Sequence, residues 1–129
     1  MLRKVVKENK KLGFTYKDYY LPQGDSFTLT ATESGSAGEG ELISGVVFKL
    51  GQKEAECKLN LLFQQEFVKS ASGIWVCKVS GDETAKWLTT CENCETPYVY
   101  EIEIYYSDGE PITLTSGNFY VEPQIKGEA

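Results

Sequence analysis

The sequence contains no histidine, and this absence limits the chemistry that the chain can perform. Histidine has the side-chain pKa nearest to neutrality and is the usual general base in enzymes. It also activates many serine and cysteine nucleophiles, and it is a common ligand of zinc. We therefore predict a protein that is not an enzyme, with no catalytic residues and no cofactor.

The chain also lacks any long apolar run. A membrane-spanning helix needs about 20 consecutive apolar residues, and no stretch approaches that length. The charged start, residues 1 to 7, has no apolar segment behind it, so no secretion signal and no membrane partner are expected. With 129 residues, of which 41% are hydrophobic and 12% aromatic, the chain fits one packed domain that is made in a cytosol.

Four cysteines are present, but not as two close pairs. Cys91 and Cys94 have the C-x-x-C spacing that lets two thiolates bind one tetrahedral zinc ion. Cys57 and Cys77 are far apart and fall at inward positions of predicted strands, where a free cysteine packs as a small hydrophobe. We expect no metal site, and zinc binding or redox chemistry at Cys91 and Cys94 is the disfavoured alternative. A redox C-x-x-C normally opens a helix, whereas here Pro97 and a strand follow.

Alternation of apolar and polar residues dominates the sequence and predicts β-strands. It is clearest in YVYEIEIYY, residues 98 to 106, which a Ser-Asp-Gly turn at 107 to 109 joins to a return strand from Ile112. The parity of the return strand changes across Ser116 and Gly117, which predicts a β-bulge at Gly117. The remaining strands are predicted in the segments 26–32, 46–50, 57–63 and 75–79. Residues 12 to 20 allow a seventh strand.

These elements predict an all-β fold. Many short strands with regular turns are typical of an antiparallel β-sandwich, here of about seven strands, with one short helical turn at 82–88 and Asp82 as its N-cap. We divide the chain into a basic N-terminal arm, residues 1 to 21, which can include a first strand, and a β-sandwich domain, residues 22 to 129. The inward positions of the strands predict a shared core of Phe48, Trp75, Tyr100, Ile102 and Phe119.

Two groups of residues in the hairpin have chemistry that a function could use, and the strand pattern favours structural roles for both. Glu101 and Glu103 lie on the polar face of their strand, so they are expected on the solvated side of the sheet rather than as a catalytic carboxylate pair. A tyrosine cluster suits sugar stacking, but aromatic pairing within the sheet is the favoured interpretation. Its members are Tyr98, Tyr100, Tyr105, Tyr106 and Tyr120.

The net charge of −6 is unevenly distributed. Residues 1 to 17 hold six bases and one acid, a balance of +5, and the rest of the chain has a balance of −11. An acidic body repels nucleic acid, so nucleic acid is not an expected partner. A solvated terminus is the favoured interpretation of the basic arm, and a tail that docks onto a complementary surface is the alternative.

An ordered set of short motifs runs through residues 22 to 123. GDSFTL at 24–29 opens one strand, LISGVVFKL at 42–50 forms another, and Glu83-Thr84 precedes the YVYEI strand at 98–102. The closing segment contains SDG at 107–109 and SGNFYVEP at 116–123. In this order the motifs resemble the immunoglobulin-like domains of tailed-phage structural proteins, and they are similar to the N-terminal domain of phage baseplate upper proteins.

The resemblance implies an immunoglobulin-like sandwich without an active site. We therefore expect a noncatalytic structural or assembly module of a phage or prophage particle, of tail or baseplate type, located in the virion or the host cytoplasm. Its expected partners are other virion or prophage structural proteins, or further copies of itself. A carbohydrate- or cell-surface-binding β-sandwich is the alternative.

The predicted contacts use the basic arm and the apolar edge of the closing strand. The uncharged segment 118–121 is expected to be a free edge, because unpaired edge strands attract other strands. Arm and edge together would join neighbouring copies head to tail. The predicted interaction residues are Arg3, Lys4, Lys7, Lys10, Lys11, Phe119 and Tyr120.

Overall fold

A computed structural model describes residues 2–9, 14–32, 43–55, 58–90, 98–107 and 112–123. These residues form nine strands and one short helix. The strands are β1 (Arg3–Asn9), β2 (Phe14–Pro22), β3 (Phe27–Thr32), β4 (Ile43–Ala55), β5 (Lys58–Glu66), β6 (Val68–Ala71), β7 (Ile74–Val79), β8 (Tyr98–Tyr106) and β9 (Ile112–Glu122), and the helix α1 is Gly81–Thr84.

The strands form two sheets. The larger sheet has the order β1-β2-β9-β8-β4-β5, and the smaller has the order β3-β7-β6. The predicted all-β sandwich is thus confirmed. Among the described strands, β2 and β9 pair in parallel and all the other pairs are antiparallel. The parallel pair corrects the expectation of a wholly antiparallel fold.

Two strands in the described part of the chain were not predicted from the alternation. Strand β1 has the sequence RKVVKEN, in which two adjacent valines interrupt any period of two. Strand β6 has four residues, all of them exposed, so no face of it is marked by apolar residues. Alternation arises only where one face of a strand is buried, and β6 therefore carries none of that signal.

The hydrophobic core lies between the two sheets and confirms the predicted inward positions. Phe48, Trp75, Tyr100, Ile102 and Phe119 are all buried in one cluster. The ring centroids of Phe48 and Phe119 are 6.3 Å apart, and those of Phe48 and Tyr100 are 6.2 Å apart. Aromatic pairs at these separations add stabilisation beyond the area that they bury.

The helical turn α1 places Trp87 in this core. Its N-cap is Ser80 rather than Asp82, because the Ser80 hydroxyl accepts a hydrogen bond from the Glu83 amide at 3.2 Å. Thr84 donates its hydroxyl to the Asp25 carbonyl at 2.8 Å, which ties the turn to the start of β3. Trp87 is fully buried against Phe119, with ring centroids 5.9 Å apart.

No helix in the described ranges has the length and apolarity that crossing a membrane would take.

The bulge in the closing hairpin lies at Leu114 rather than at Gly117. Ile102 pairs with Thr115 and Glu103 with Thr113, so Leu114 is the extra residue. Gly117 has a different role, since a Cβ at this position would overlap the carbonyl oxygen of Lys17 in β2. The glycine therefore permits β2 to approach β9 closely.

Two hydrogen bonds fasten β2 where it meets β9. The Tyr100 hydroxyl donates to the Lys17 carbonyl at 2.6 Å. The Asn118 amide donates to the buried Asp18 carboxylate at 3.0 Å. Beyond this point Tyr19 and Leu21 enter the core. Residues 14 to 21 of the expected arm are therefore an integral part of the larger sheet.

We expect Ile102→Ala to lower the free energy of unfolding by about 2–5 kcal/mol, because it removes a buried side chain and leaves a cavity. The matched control is Glu101→Ala on the opposite face of β8, which should change that free energy by no more than about 0.5 kcal/mol. Urea denaturation followed by tryptophan fluorescence measures both values. Equal losses for the two variants would contradict the assignment of faces.

We expect Gly117→Ala to destabilise the fold by about 1–3 kcal/mol, since its new methyl group must displace the backbone of β2. Gly45→Ala is the control, because a Cβ at position 45 meets no atom within 4 Å. That control should cost at most about 0.5 kcal/mol. A tolerated Gly117→Ala would contradict the requirement for glycine where β2 approaches β9.

Candidate protein-interaction edges

The outer strands of the two sheets are the places where this fold offers backbone groups to a partner. Among the described strands, the larger sheet ends in β1 and β5, and the smaller ends in β3 and β6. The outward N–H and C=O groups of such strands can pair with another chain. The side chains on each strand decide whether such pairing is favoured.

The β1 edge carries the basic residues of the expected arm, and one of them is engaged within the chain. The Arg3 guanidinium lies 2.7 Å from the Glu122 carboxylate and 4.9 Å above the centroid of Tyr20. Tyr20 in turn stacks on Tyr120, with centroids 4.8 Å apart. Arg3 therefore connects the first strand to the last one.

The four lysines of the predicted interaction set divide into two on β1 and two outside the described residues. Lys4 is exposed on β1, and Lys7 lies in the same strand opposite Tyr16. Lys10 and Lys11 lie outside the described residues. The structure thus places a basic strand at one border of the larger sheet.

The predicted contacts of Phe119 and Tyr120 are corrected by the strand order. Strand β9 lies between β2 and β8, so Phe119 pairs with Tyr19 on one side and Tyr98 on the other. Phe119 is 0% exposed and Tyr120 is also buried. Phe119 and Tyr120 are inaccessible because β2 pairs in parallel with β9. In this position β2 occupies the side of β9 that the β8–β9 hairpin alone leaves open.

The β5 edge exposes two neighbouring leucines that the alternation did not identify. Leu61 and Leu62 are 48% and 47% exposed. A bulge interrupts the pairing of β5 with β4 at this point and displaces Leu61 from the alternation of its strand. Leu50 pairs with Phe63 and Gly51 with Leu61, which leaves Leu62 as the extra residue.

A groove of about 370 Å³ lies where the chain passes from β5 to β6. One wall is held in place by Gln65, whose amide donates to the Lys78 carbonyl at 2.6 Å. Val68 beside it is 69% exposed. The groove is lined by Gln65, Glu66, Val68, Ser70, Val76 and Lys78.

The candidate sugar platform is not assembled on the surface. Tyr98, Tyr100 and Tyr120 are buried. The hydroxyl of Tyr98 accepts a hydrogen bond from the Leu88 amide at 3.1 Å, so this ring holds the segment after α1. Tyr105 and Tyr106 remain half-buried, and Tyr105 donates its hydroxyl to Glu103 at 3.0 Å.

Glu103 belongs to a half-buried ion pair on the outer face of the larger sheet. Its carboxylate lies 3.1 Å from the Lys49 ammonium, and both side chains are largely shielded from water. Burial alone would lower the pKa of Lys49, but the hydrogen bond and charge of Glu103 outweigh burial and raise it. The expected solvated position of Glu103 is therefore replaced by a structural pair across β4 and β8.

Cys77 is buried as predicted, and its surroundings keep it protonated. Burial raises the pKa of its thiol to about 11, although a contact from the Gln65 amide at 3.7 Å opposes that shift. Cys57, Cys91 and Cys94 lie outside the described residues. Within the described ranges, no three acidic or cysteine side chains converge as metal ligands would.

We expect stability to fall as the pH rises above about 9. Burial raises the pKa of Cys77 from 9.0 and the pKa values of Tyr19 and Tyr100 from 10.0, so the folded chain holds these protons more tightly than the unfolded chain. Their stabilisation is complete below the unfolded pKa values and is lost as the pH rises towards the folded ones.

Urea denaturation between pH 8 and pH 11 measures this loss. Each proton that the folded chain retains and the unfolded chain has released makes the free energy of unfolding fall by about 1.4 kcal/mol per pH unit. Tyr100→Phe and Cys77→Ala should each give a shallower slope than the unsubstituted chain, whatever their stability at pH 7. As a control for reversibility, a return to pH 7 must restore the starting fluorescence signal. If both variants kept the slope of the unsubstituted chain, Cys77 and Tyr100 would not be the groups responsible for the loss of stability.

Comparison with known proteins does not assign the chain to a family. A scan of the chain against protein-family models finds no match, and a search of curated proteins finds no similar sequence. Strand order, burial and the chemistry of the edges are therefore the features from which a function can be inferred.

Proposed function

We propose that the chain is a noncatalytic, immunoglobulin-like assembly module of a phage or prophage particle, of tail or baseplate type. It would act through protein–protein contacts at the borders of its sheets. The observation that carries this proposal is the order of the strands, taken together with the motif resemblance in the sequence.

The strand order supports an immunoglobulin-like topology. In an immunoglobulin sandwich, strands B, E and D share one sheet with A, strands C, F and G share the other, and variable-type domains add C′ beside C. The smaller sheet, β3-β7-β6, corresponds to B-E-D, and the segment β9-β8-β4-β5 of the larger sheet corresponds to G-F-C-C′. Chain order agrees throughout, since β3 to β9 then read B, C, C′, D, E, F and G.

Tyr98 gives this topology independent support. Immunoglobulin-like domains often have a tyrosine near the start of strand F whose hydroxyl bonds to backbone upstream. Tyr98 opens β8, the strand that corresponds to F, and its hydroxyl is bonded to the Leu88 amide. The chain departs from the common pattern at its start, because β2 pairs with β9 and not with β3.

The motifs that carry the phage resemblance have structural roles in this fold. Gly24 has a φ of 89°, which the turn between β2 and β3 requires. Thr84 joins α1 to Asp25, and Phe119 fills the core. Residues with these roles support a scaffold whose function is to present surfaces to partners.

The carbohydrate-binding alternative receives no comparable support. Stacking on a sugar requires exposed aromatic faces, and three of the five tyrosines of the candidate cluster are buried. The large exposed apolar side chains among the described residues are instead aliphatic: Leu61 and Leu62 on β5, Val68 on β6 and Leu88 after α1.

Association with particles tests the proposal. Cells that carry the gene are treated to induce prophage, particles are purified by density gradient, and peptides of this chain are quantified by mass spectrometry. We expect the chain in the particle fraction at a constant ratio to the major tail protein, while an abundant host enzyme stays in the soluble fraction. Confinement of the chain to the soluble fraction would contradict the proposal.

A further inference from the structure

We propose that two copies of the chain associate by antiparallel pairing of their β5 strands, about a twofold axis at Leu62. The inference rests on the proposed function, because it names a second copy as one partner of an assembly module. It concerns the edge of the larger sheet that lies opposite the basic strand β1.

Strand β5 has the longest uncharged segment of the edge strands that the structure describes, seven residues (59–65) against the six of β3. Proteins blunt their sheet edges with charge, proline, bulges or very short strands. Strand β1 carries Arg3, Lys4 and Lys7, and β6 has only four residues. Strand β5 has nine residues, and its segment 59–65 contains no charge, proline or glycine.

The charges at the two ends of β5 favour pairing with a second copy. The strand begins with Lys58 and ends with Glu66, and these are its only charged residues. Antiparallel self-pairing aligned on Leu62 places Lys58 of each copy opposite Glu66 of the other copy, so the contact contains two such pairs. Opposite charges across a strand pair are stabilising, whereas parallel self-pairing would place like charges opposite each other.

The same register also matches the residues between the ends. Asn60 lies opposite Gln64 of the second copy, and Leu61 lies opposite Phe63. Leu62 lies opposite itself, at the axis. Leu59 lies opposite Gln65 and is the one mismatch in polarity, while the other residues of β5 meet one of similar polarity or opposite charge, which is the self-complementarity that a twofold contact requires.

The bulge at Leu62 contributes to this contact. A bulge by itself turns an edge away from further pairing, but here it leaves both Leu61 and Leu62 about half exposed. At the twofold axis the leucines of the two copies cover one another and lose that exposure. The contact is closed, so it produces a dimer and leaves both β1 edges available to other partners.

Sedimentation equilibrium of the full chain from micromolar to millimolar concentration tests the pairing. We expect a monomer–dimer equilibrium that Leu62→Lys weakens at least about tenfold, because two lysines then meet at the axis. Val68→Lys is the matched control, since Val68 is exposed on a different edge strand and its replacement should leave the dissociation constant unchanged. Urea denaturation of each variant verifies that it is folded.

A charge exchange tests the register. Glu66→Lys should weaken the dimer at least about fivefold, because it places two lysines opposite each other at both ends of the contact. The double variant Lys58→Glu with Glu66→Lys restores opposite pairs, so its dissociation constant should return to within about threefold of the unsubstituted value.

Three results would overturn the inference: a strict monomer at millimolar concentration, a dimer that Leu62→Lys does not weaken, or no recovery in the double variant. A monomer that is nevertheless found in particles at a constant ratio would reject the self-pairing alone. A dimer that is absent from particles would reject the proposed function alone.

Discussion

The parallel pairing of β2 with β9 is the interaction on which the rest of this structure depends. It requires the backbone of β2 to pass directly over Gly117, where any side chain would meet the Lys17 carbonyl. Once β2 is in place, the Tyr100 hydroxyl and the Asp18 carboxylate satisfy backbone groups that burial would otherwise leave unpaired. Tyr19 and Leu21 then complete the core from the N-terminal side.

This pairing also decides which parts of the surface are available to partners. By covering β9, it moves the border of the larger sheet outward to β1, where basic residues oppose pairing of two copies. The opposite border is β5, which has exposed leucines and no charge between its ends. The larger sheet thus offers two different kinds of surface, one basic edge and one apolar edge.

The interior is built for packing. Cys77 and Tyr100 are the kinds of side chain that enzymes use as nucleophiles or acids, yet burial raises both pKa values and keeps the groups neutral. Tyr98 and Tyr100 use their hydroxyl groups to hold backbone segments. Among the described residues, these three side chains therefore serve the packing and the arrangement of the strands.

Alternation by itself determined the class of the fold, strand β8 with its inward face, and the shared burial of Phe48 and Phe119. This is so because a period of two records which face of a strand is apolar. The sequence also determined the identity and charge of each edge residue. It did not determine which strands are neighbours, since every strand offers the same backbone donors and acceptors to any other. Only the tertiary structure decided that β2 covers β9, that Phe119 is therefore inaccessible, and that Leu61 is exposed at a bulge on an edge strand.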